Sequence, residues 1–205
     1  MWCRKQLGNP LKKISKKIKL YLSVTRARGI ARRYFILNGF DGAMTIFGII
    51  VASWFAHIQE PGTIVIAGLG ACFAIGISGF FSAYMTEKAE RDRMLRELEK
   101  EKNGKVDPIR YEASEFVSIY VAIIDGLSPV LTAVISLAPF FLAVWNMLPI
   151  QTAYTASFIL TLASLFSLGY YLGIKAKGNG WMYGLRMLAV GAVAATFIFL
   201  IELLF

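Results

Sequence analysis

The sequence predicts an all-α integral membrane protein with five transmembrane helices, an N-terminal amphipathic helix and a short charged cytoplasmic helical extension between spans two and three. Three observations carry that prediction. The 205-residue chain is 57% apolar and only 17% charged, whereas soluble domains run to about 25% charged. Its uncharged stretches are Tyr34–Phe40, Gly42–Gln59, Pro61–Thr86, Phe116–Ile124, Gly126–Ile174 and Met187–Ile201, and Gly42–Gln59 reaches the roughly 20 residues of a crossing once Tyr34–Phe40 is joined to it across Asp41. All 22 Lys and Arg residues fall in 1–33, 88–110 and 175–186, and none in 56–62 or 145–152. Basic loops stay on the cytoplasmic side, so the N-terminus is expected inside and the C-terminus outside.

In order, the helices are expected at about 34–57, 62–86, 114–145, 151–174 and 182–204. The Gly126–Ile174 stretch is too long for one span and breaks at Trp145-Asn146-Met147-Leu148-Pro149. Residues 1–33 form a basic cytoplasmic segment ahead of a transmembrane domain at 34–205. Within it Leu11, Ile14, Ile18, Leu22 and Thr25 recur at helical spacing among Lys12, Lys13, Lys16, Lys17 and Lys19. That pattern suits a helix lying on the inner membrane surface against anionic headgroups, loosened at Gly29. The segment lacks the apolar core of a cleavable signal. The net charge of +9 follows from the same bias and requires no nucleic-acid partner. Cys3 and Cys72 predict no disulfide framework.

Residues 85–103 continue the helical pattern of span two beyond its apolar part, giving a cytoplasmic extension over about 86–113. Asn103-Gly104 ends it and Asp107-Pro108 starts the next helix. The first two turns of helix three then stand in the cytoplasm, and Pro129 and Pro139 predict bends, tolerable where neighbours satisfy the freed carbonyls.

Asp41 and Asp125 are the residues to explain, because an Asp within a span costs roughly 2.5–3.5 kcal/mol on insertion scales and normally serves an ion, a proton or a partner. Each is followed by Gly. Asn38, Asp41, Met44 with Thr45, and Gly48 share one face of helix one. Glu112, Glu115, Ser118, Ala122, Asp125, Pro129, Thr132 and Ser136 form a polar stripe on helix three, and Ser78, Ser82 and Met85 align on helix two. Together they can make a polar path through the bundle, although Ser and Thr in spans often only bond back to their own helix or join helices. On the extension, Glu87, Glu90, Met94, Glu97 and Glu101 follow a 3-4-3-4 spacing. Carboxylates with a thioether suit Mn²⁺ or Fe²⁺ over Mg²⁺ or Ca²⁺. The competing reading is a solvated helix with ion pairs Glu87–Arg91, Lys88–Asp92 and Asp92–Arg96. His57 stands alone and reads as an interface residue.

The residues also resemble a known family, the vacuolar iron transporter group, in its compact prokaryotic type. The likeness runs over about 32–205. It rests on Asn38-Gly-Phe-Asp41-Gly42, the Gly/Ser-rich end of span two entering a charged helix, Asp125-Gly-Leu-Ser-Pro129 with Leu137-Ala-Pro139-Phe, and Gly169-Tyr-Tyr-Leu-Gly173 followed by Tyr183-Gly-Leu-Arg186-Met-Leu. The resemblance implies a homodimer, not an enzyme, that moves Fe²⁺ or Mn²⁺ out of the cytoplasm by proton antiport and needs no cofactor. It implies that Asp41 lines the path at the dimer interface and that Glu87, Glu90, Glu97, Glu112 and Glu115 capture metal. The candidate metal residues are therefore Asp41, Met44, Met85, Glu87, Glu90, Met94, Glu97, Glu112 and Glu115, with Asp125 in proton coupling or on the metal path. Family members carry Gly-Glu-Tyr near the end of span two, where this chain has Ser82-Ala83-Tyr84, and the capture region is short. The expected location is the plasma membrane of a prokaryote. Two alternatives stay open: a non-transporting scaffold or assembly factor, and an intramembrane aspartyl protease, for which the Gly-x-Gly-Asp setting is missing at Asp125.

Overall fold

A computed structural model describes residues 27–101 and 106–204 together with Ile18, Tyr21 and Thr25. Most of the predicted amphipathic helix, Cys3 and the Asn103-Gly104 break lie outside the described residues. Five helices follow in order: α1 Ala27–Phe55, α2 Pro61–Glu101, α3 Pro108–Val144, α4 Ile150–Lys175 and α5 Gly180–Glu202. No strand occurs among the described residues. Each helix is long and apolar enough to cross a bilayer, and the chain is a multi-pass integral membrane protein.

One helix, α1, differs in extent from the sequence expectation, and α2 runs on as expected. Helix α1 starts at Ala27 and runs through Gly29. Glycine costs about 1 kcal/mol in a helix, but Ala27 and Ala31 bury against Val117 and Val121 of α3 and hold the extra turns in place. Helix α2 is a single 41-residue rod, about 60 Å long at 1.5 Å per residue, so roughly half of it projects beyond a 30 Å hydrocarbon core. Helix α3 starts as expected: Asp107 accepts the Ile109 N–H at 3.0 Å and Pro108 takes the first helical position, where its missing N–H costs nothing.

Helix α3 is the axis of the bundle, with α1, α2 and α4 packed around it. Half of its apolar window is buried, against 11% for α5, which leans on α4 and α1. The core joins Ile46 and Ile50 of α1, Ile64 and the free Cys72 of α2, Leu137 and Phe140 of α3 and Tyr154 of α4. Tyr154 stands edge-on to Phe140, with centroids 5.0 Å apart, and donates to the Ile58 carbonyl at 2.8 Å. Helices α2 and α3 meet backbone to backbone: a Cβ on Gly76 would lie 2.6 Å from the Gly126 carbonyl oxygen. Such glycine contacts are how spans approach closely without a side chain between them.

Helices α1, α3 and α4 end alike, on a left-handed residue that is not glycine: His57 (φ 52), Asn146 (φ 57) and Lys177 (φ 56). After each, the next N–H reaches back to a carbonyl five residues earlier, as in Ile58 to Ser53, Met147 to Leu142 and Gly178 to Gly173. This closes the orphan carbonyls of the final turn. His57 is thus a helix terminator.

Candidate functional site

A cleft of about 600 Å³ opens between α1, α2 and α3, lined by Tyr34, Leu37, Asn38, Asp41, Ala74, Ile75, Ser78, Gly79, Ser82 and Asp125. Both intramembrane aspartates therefore share one cavity, close enough for the charge of one to bear on the other. Their surroundings are built from the backbone up. Pro129 has no N–H, so the carbonyl of Asp125, four residues back, loses its helical donor. The Asn38 amide of α1 reaches that carbonyl at 3.4 Å. Gly79 supplies the opposing wall: a Cβ there would lie 2.5 Å from Asn38 Nδ2 and 2.9 Å from Asp125 Oδ2. Only a residue without a side chain leaves room for the amide and the carboxylate together.

Asp125 is 3% exposed. Asp41 is exposed on the open side of the cleft, and its carboxylate has no hydrogen-bond or ion-pair partner among the described residues. Ser78 and Ser82 of α2 face the same space, and the Ser82 hydroxyl returns to the Gly79 carbonyl at 3.2 Å. Much of the polar stripe on α3 closes on itself: Ser118 donates to Ser114 O at 3.0 Å and Thr132 to Pro129 O at 3.0 Å. Ser128 instead crosses to the Phe35 carbonyl of α1 at 2.5 Å.

The other sequence candidates are spread along the projecting ends of α2 and α3. Met44 is half-buried, one turn past Asp41 and outside the cleft lining, while Met85 is exposed one turn past Ser82. Glu87 is buried and pairs with Arg91 at 3.2 Å, next to Tyr34 at the mouth of the cleft. Burial lowers the Arg91 guanidinium from its usual value, against the pull of Glu87. Glu90 is exposed, Glu97 pairs with Arg93 at 3.0 Å, and Met94 faces a separate pocket beside Arg91 and Leu98. Glu112 accepts from Tyr21, and Glu115 accepts from Lys88 and, at 3.1 Å, from Tyr84. Among the described residues of one chain, no three His, Cys, Asp or Glu side chains gather where one metal ion could sit.

The Glu stripe divides along its length. Gly79, Ala83, Glu87, Arg91 and Leu95 form the buried edge of α2, and Glu90, Met94, Glu97 and Glu101 the exposed one. Glu87 lies on the same buried face as Ala83, one turn further along. Lys88–Asp92 closes at 3.7 Å, whereas Arg96 bonds the Asp92 carbonyl rather than its carboxylate. Sequence reasoning did not find Gly79 as the cleft wall. The available signal was its place in a Gly-x-x-Gly step, Gly76 to Gly79, opposite Asp125-Gly126.

The fold and cleft define a polytopic membrane protein with paired intramembrane carboxylates in a polar cavity. Comparison with known sequences narrows this further. The profile of the VIT family matches residues 32–129, a segment that holds every residue of the cleft. An uncharacterized protein of Methanocaldococcus jannaschii is 30% identical over 174 residues, covering 83% of this chain and 87% of that one. The vacuolar iron transporters of Plasmodium falciparum and Plasmodium berghei are 36% and 35% identical over 86 residues, 42% of this chain and 31% of each transporter. The chain belongs to the VIT family.

Proposed function

We propose that this protein transports divalent metal, Fe²⁺ or Mn²⁺, out of the cytoplasm in exchange for protons, and that the cleft is its path. The observation that carries this reading is Asp41: a carboxylate within an apolar helix, open to a cavity and without a hydrogen-bond or ion-pair partner among the described residues. Its cost in the bilayer is met by something that enters the cleft. Family membership and the iron transporters among its relatives favour a metal ion in that role. Asp41 would be its ligand, with Met44 and Met85 as softer donors nearby and Asp125 carrying the proton.

The cleft is open on the side where Leu37, Ala74 and Ser78 are exposed beside Asp41. A second copy covers that side in this proposal, so the path runs along a homodimer interface and the second copy completes the ligand set. Glu87, Glu90, Met94, Glu97, Glu112 and Glu115 form the approach on the cytoplasmic side. The basic ends of α1, α2, α4 and α5 support an orientation with the N-terminus inside and the C-terminus outside, in the plasma membrane of a prokaryotic cell.

The test is uptake of Fe²⁺, Mn²⁺ and Zn²⁺ into proteoliposomes by the full chain and by Asp41→Asn. Uptake by the parent that Asp41→Asn abolishes, with folding intact, is the expected result. Equal uptake by both would remove Asp41 from the path. No uptake of any metal by a well-folded dimer would favour a scaffold role.

A further inference from the structure

We propose that the crevice between α1, α4 and α5 binds one anionic phospholipid. The crevice holds about 580 Å³ and opens on a different face of α1 from the carboxylate cleft, with Leu37 at the edge of both. Four cations rim it, Arg32 and Arg33 in the second turn of α1, Lys175 in the last turn of α4 and Arg186 in the second turn of α5. These helix ends lie at one end of the bundle, because α1 and α5 run against α4. No Asp or Glu lines the crevice.

The state of these cations differs from that of the paired basic residues on the α2 extension. On the α2 extension Lys88, Arg91 and Arg93 each hold a carboxylate. Among the described residues, none of the four crevice cations has an acidic partner. Three rest near rings instead, Arg33 at 5.7 Å from Tyr34, Lys175 at 5.5 Å from Tyr171 and Arg186 at 5.4 Å from Tyr183. Four positive charges facing one cavity repel each other unless an anion joins them.

The remainder of the lining specifies the kind of anion. Phe40, Leu172 and Val190 continue the crevice toward the middle of the bundle as an apolar trough. From Arg33 to Phe40 is about 10 Å along a helix, which places a charged end at the headgroup level and an acyl-sized groove below it. A free phosphate would fill only the basic end. A phospholipid with a net negative headgroup fills both, and basic pockets between spans are where such headgroups bind.

The experiment uses the full chain purified in detergent, with retained lipid counted by native mass spectrometry after equilibration with phosphatidylglycerol or phosphatidylcholine. Tight retention of one phosphatidylglycerol and little phosphatidylcholine is expected. Each cation removed should weaken retention about fivefold, so the pair Lys175→Gln and Arg186→Gln should weaken it roughly twenty-five-fold. Lys100→Gln, on the exposed α2 tip, serves as the control and should leave retention unchanged. Arg32→Gln alone is the milder variant should the pair fail to fold, with about a fivefold loss expected. Equal retention of the two lipids, or a phosphatidylglycerol preference that the crevice variants leave intact, would overturn the proposal. Displacement of the lipid by millimolar inorganic phosphate would assign the site to a free anion and also overturn it. The proposal does not depend on metal transport, and its readout involves no metal.

Discussion

Asp41-Gly42 on α1 and Asp125-Gly126 on α3 share a dipeptide and a packing device, yet their carboxylates occupy different worlds. In both, the glycine brings a neighbouring backbone close: a Cβ on Gly42 would sit 2.5 Å from Pro129 Cα, and one on Gly126 would sit 2.8 Å from the Gly76 carbonyl oxygen. Asp125 then lies inside its own chain, against Gly79 and beside Asn38, whereas Asp41 is left open. Local sequence sets how closely the helices meet. What lies across the helix decides whether the carboxylate belongs to the fold or to whatever enters the cleft.

The strongest way to break this comparison is to neutralise each aspartate in turn. Asp41→Asn should reduce initial metal uptake about a hundredfold while leaving the thermal midpoint in detergent unchanged. Asp125→Asn should also lower uptake, but with a shifted midpoint, since its carboxylate sits within the packed bundle. Equal effects on stability from the two would erase the distinction. Next come the glycines. Gly42→Ala forces a Cβ into the backbone of Pro129 and should destabilise by about 2 kcal/mol, as overpacking of a tight contact does. Gly126→Ala should do the same against Gly76. Gly48→Ala on the same helix meets only an Ile198 methyl at 3.8 Å, so it should be neutral or gain up to about 1 kcal/mol in helix propensity. The smallest effect sharpens the role of Asn38: Asn38→Ala leaves the Asp125 carbonyl without its donor and should cost about 1 kcal/mol in denaturation experiments.

Much of this architecture could be read from the residues. Apolar lengths and the three clusters of basic residues gave the five helices, and the charged continuation of span two gave the unbroken α2. Asp107-Pro108 marked the start of α3 because capping chemistry is local. Freed carbonyls at prolines were expected to find a neighbour, and Asn38 supplies one for Pro129. The start of α1 was not legible, because Gly29 is a local signal that the packing of Ala27 and Ala31 on α3 overrides. The helix ends at His57, Asn146 and Lys177 carry no glycine to announce them. Both aspartates stood out, but Gly79 did not, since which glycine faces which carboxylate depends on the register between α2 and α3. The Glu stripe read as one face at 3-4-3-4 spacing. On the folded helix its first member, Glu87, falls on the buried edge and pairs with Arg91, because α2 still touches its neighbours at that height.

The unbroken length of α2 gives the glycine crossing at Gly76 and Gly126 a mechanical meaning. Taken as a pivot, that crossing lies about 22 Å from the Pro61 end of a stiff rod and about 37 Å from the Glu101 end. Gly79, the wall of the cleft, lies about 4.5 Å beyond it, and the tip at Glu101 about 37 Å beyond it. A tilt about the crossing moves the tip some eight times as far as the wall. Beyond the crossing α2 is held to α3 by Tyr84 and Lys88 on Glu115 and by Glu99 on Tyr111, so the long arm and the start of α3 would move together, and the space around Asp125 with them.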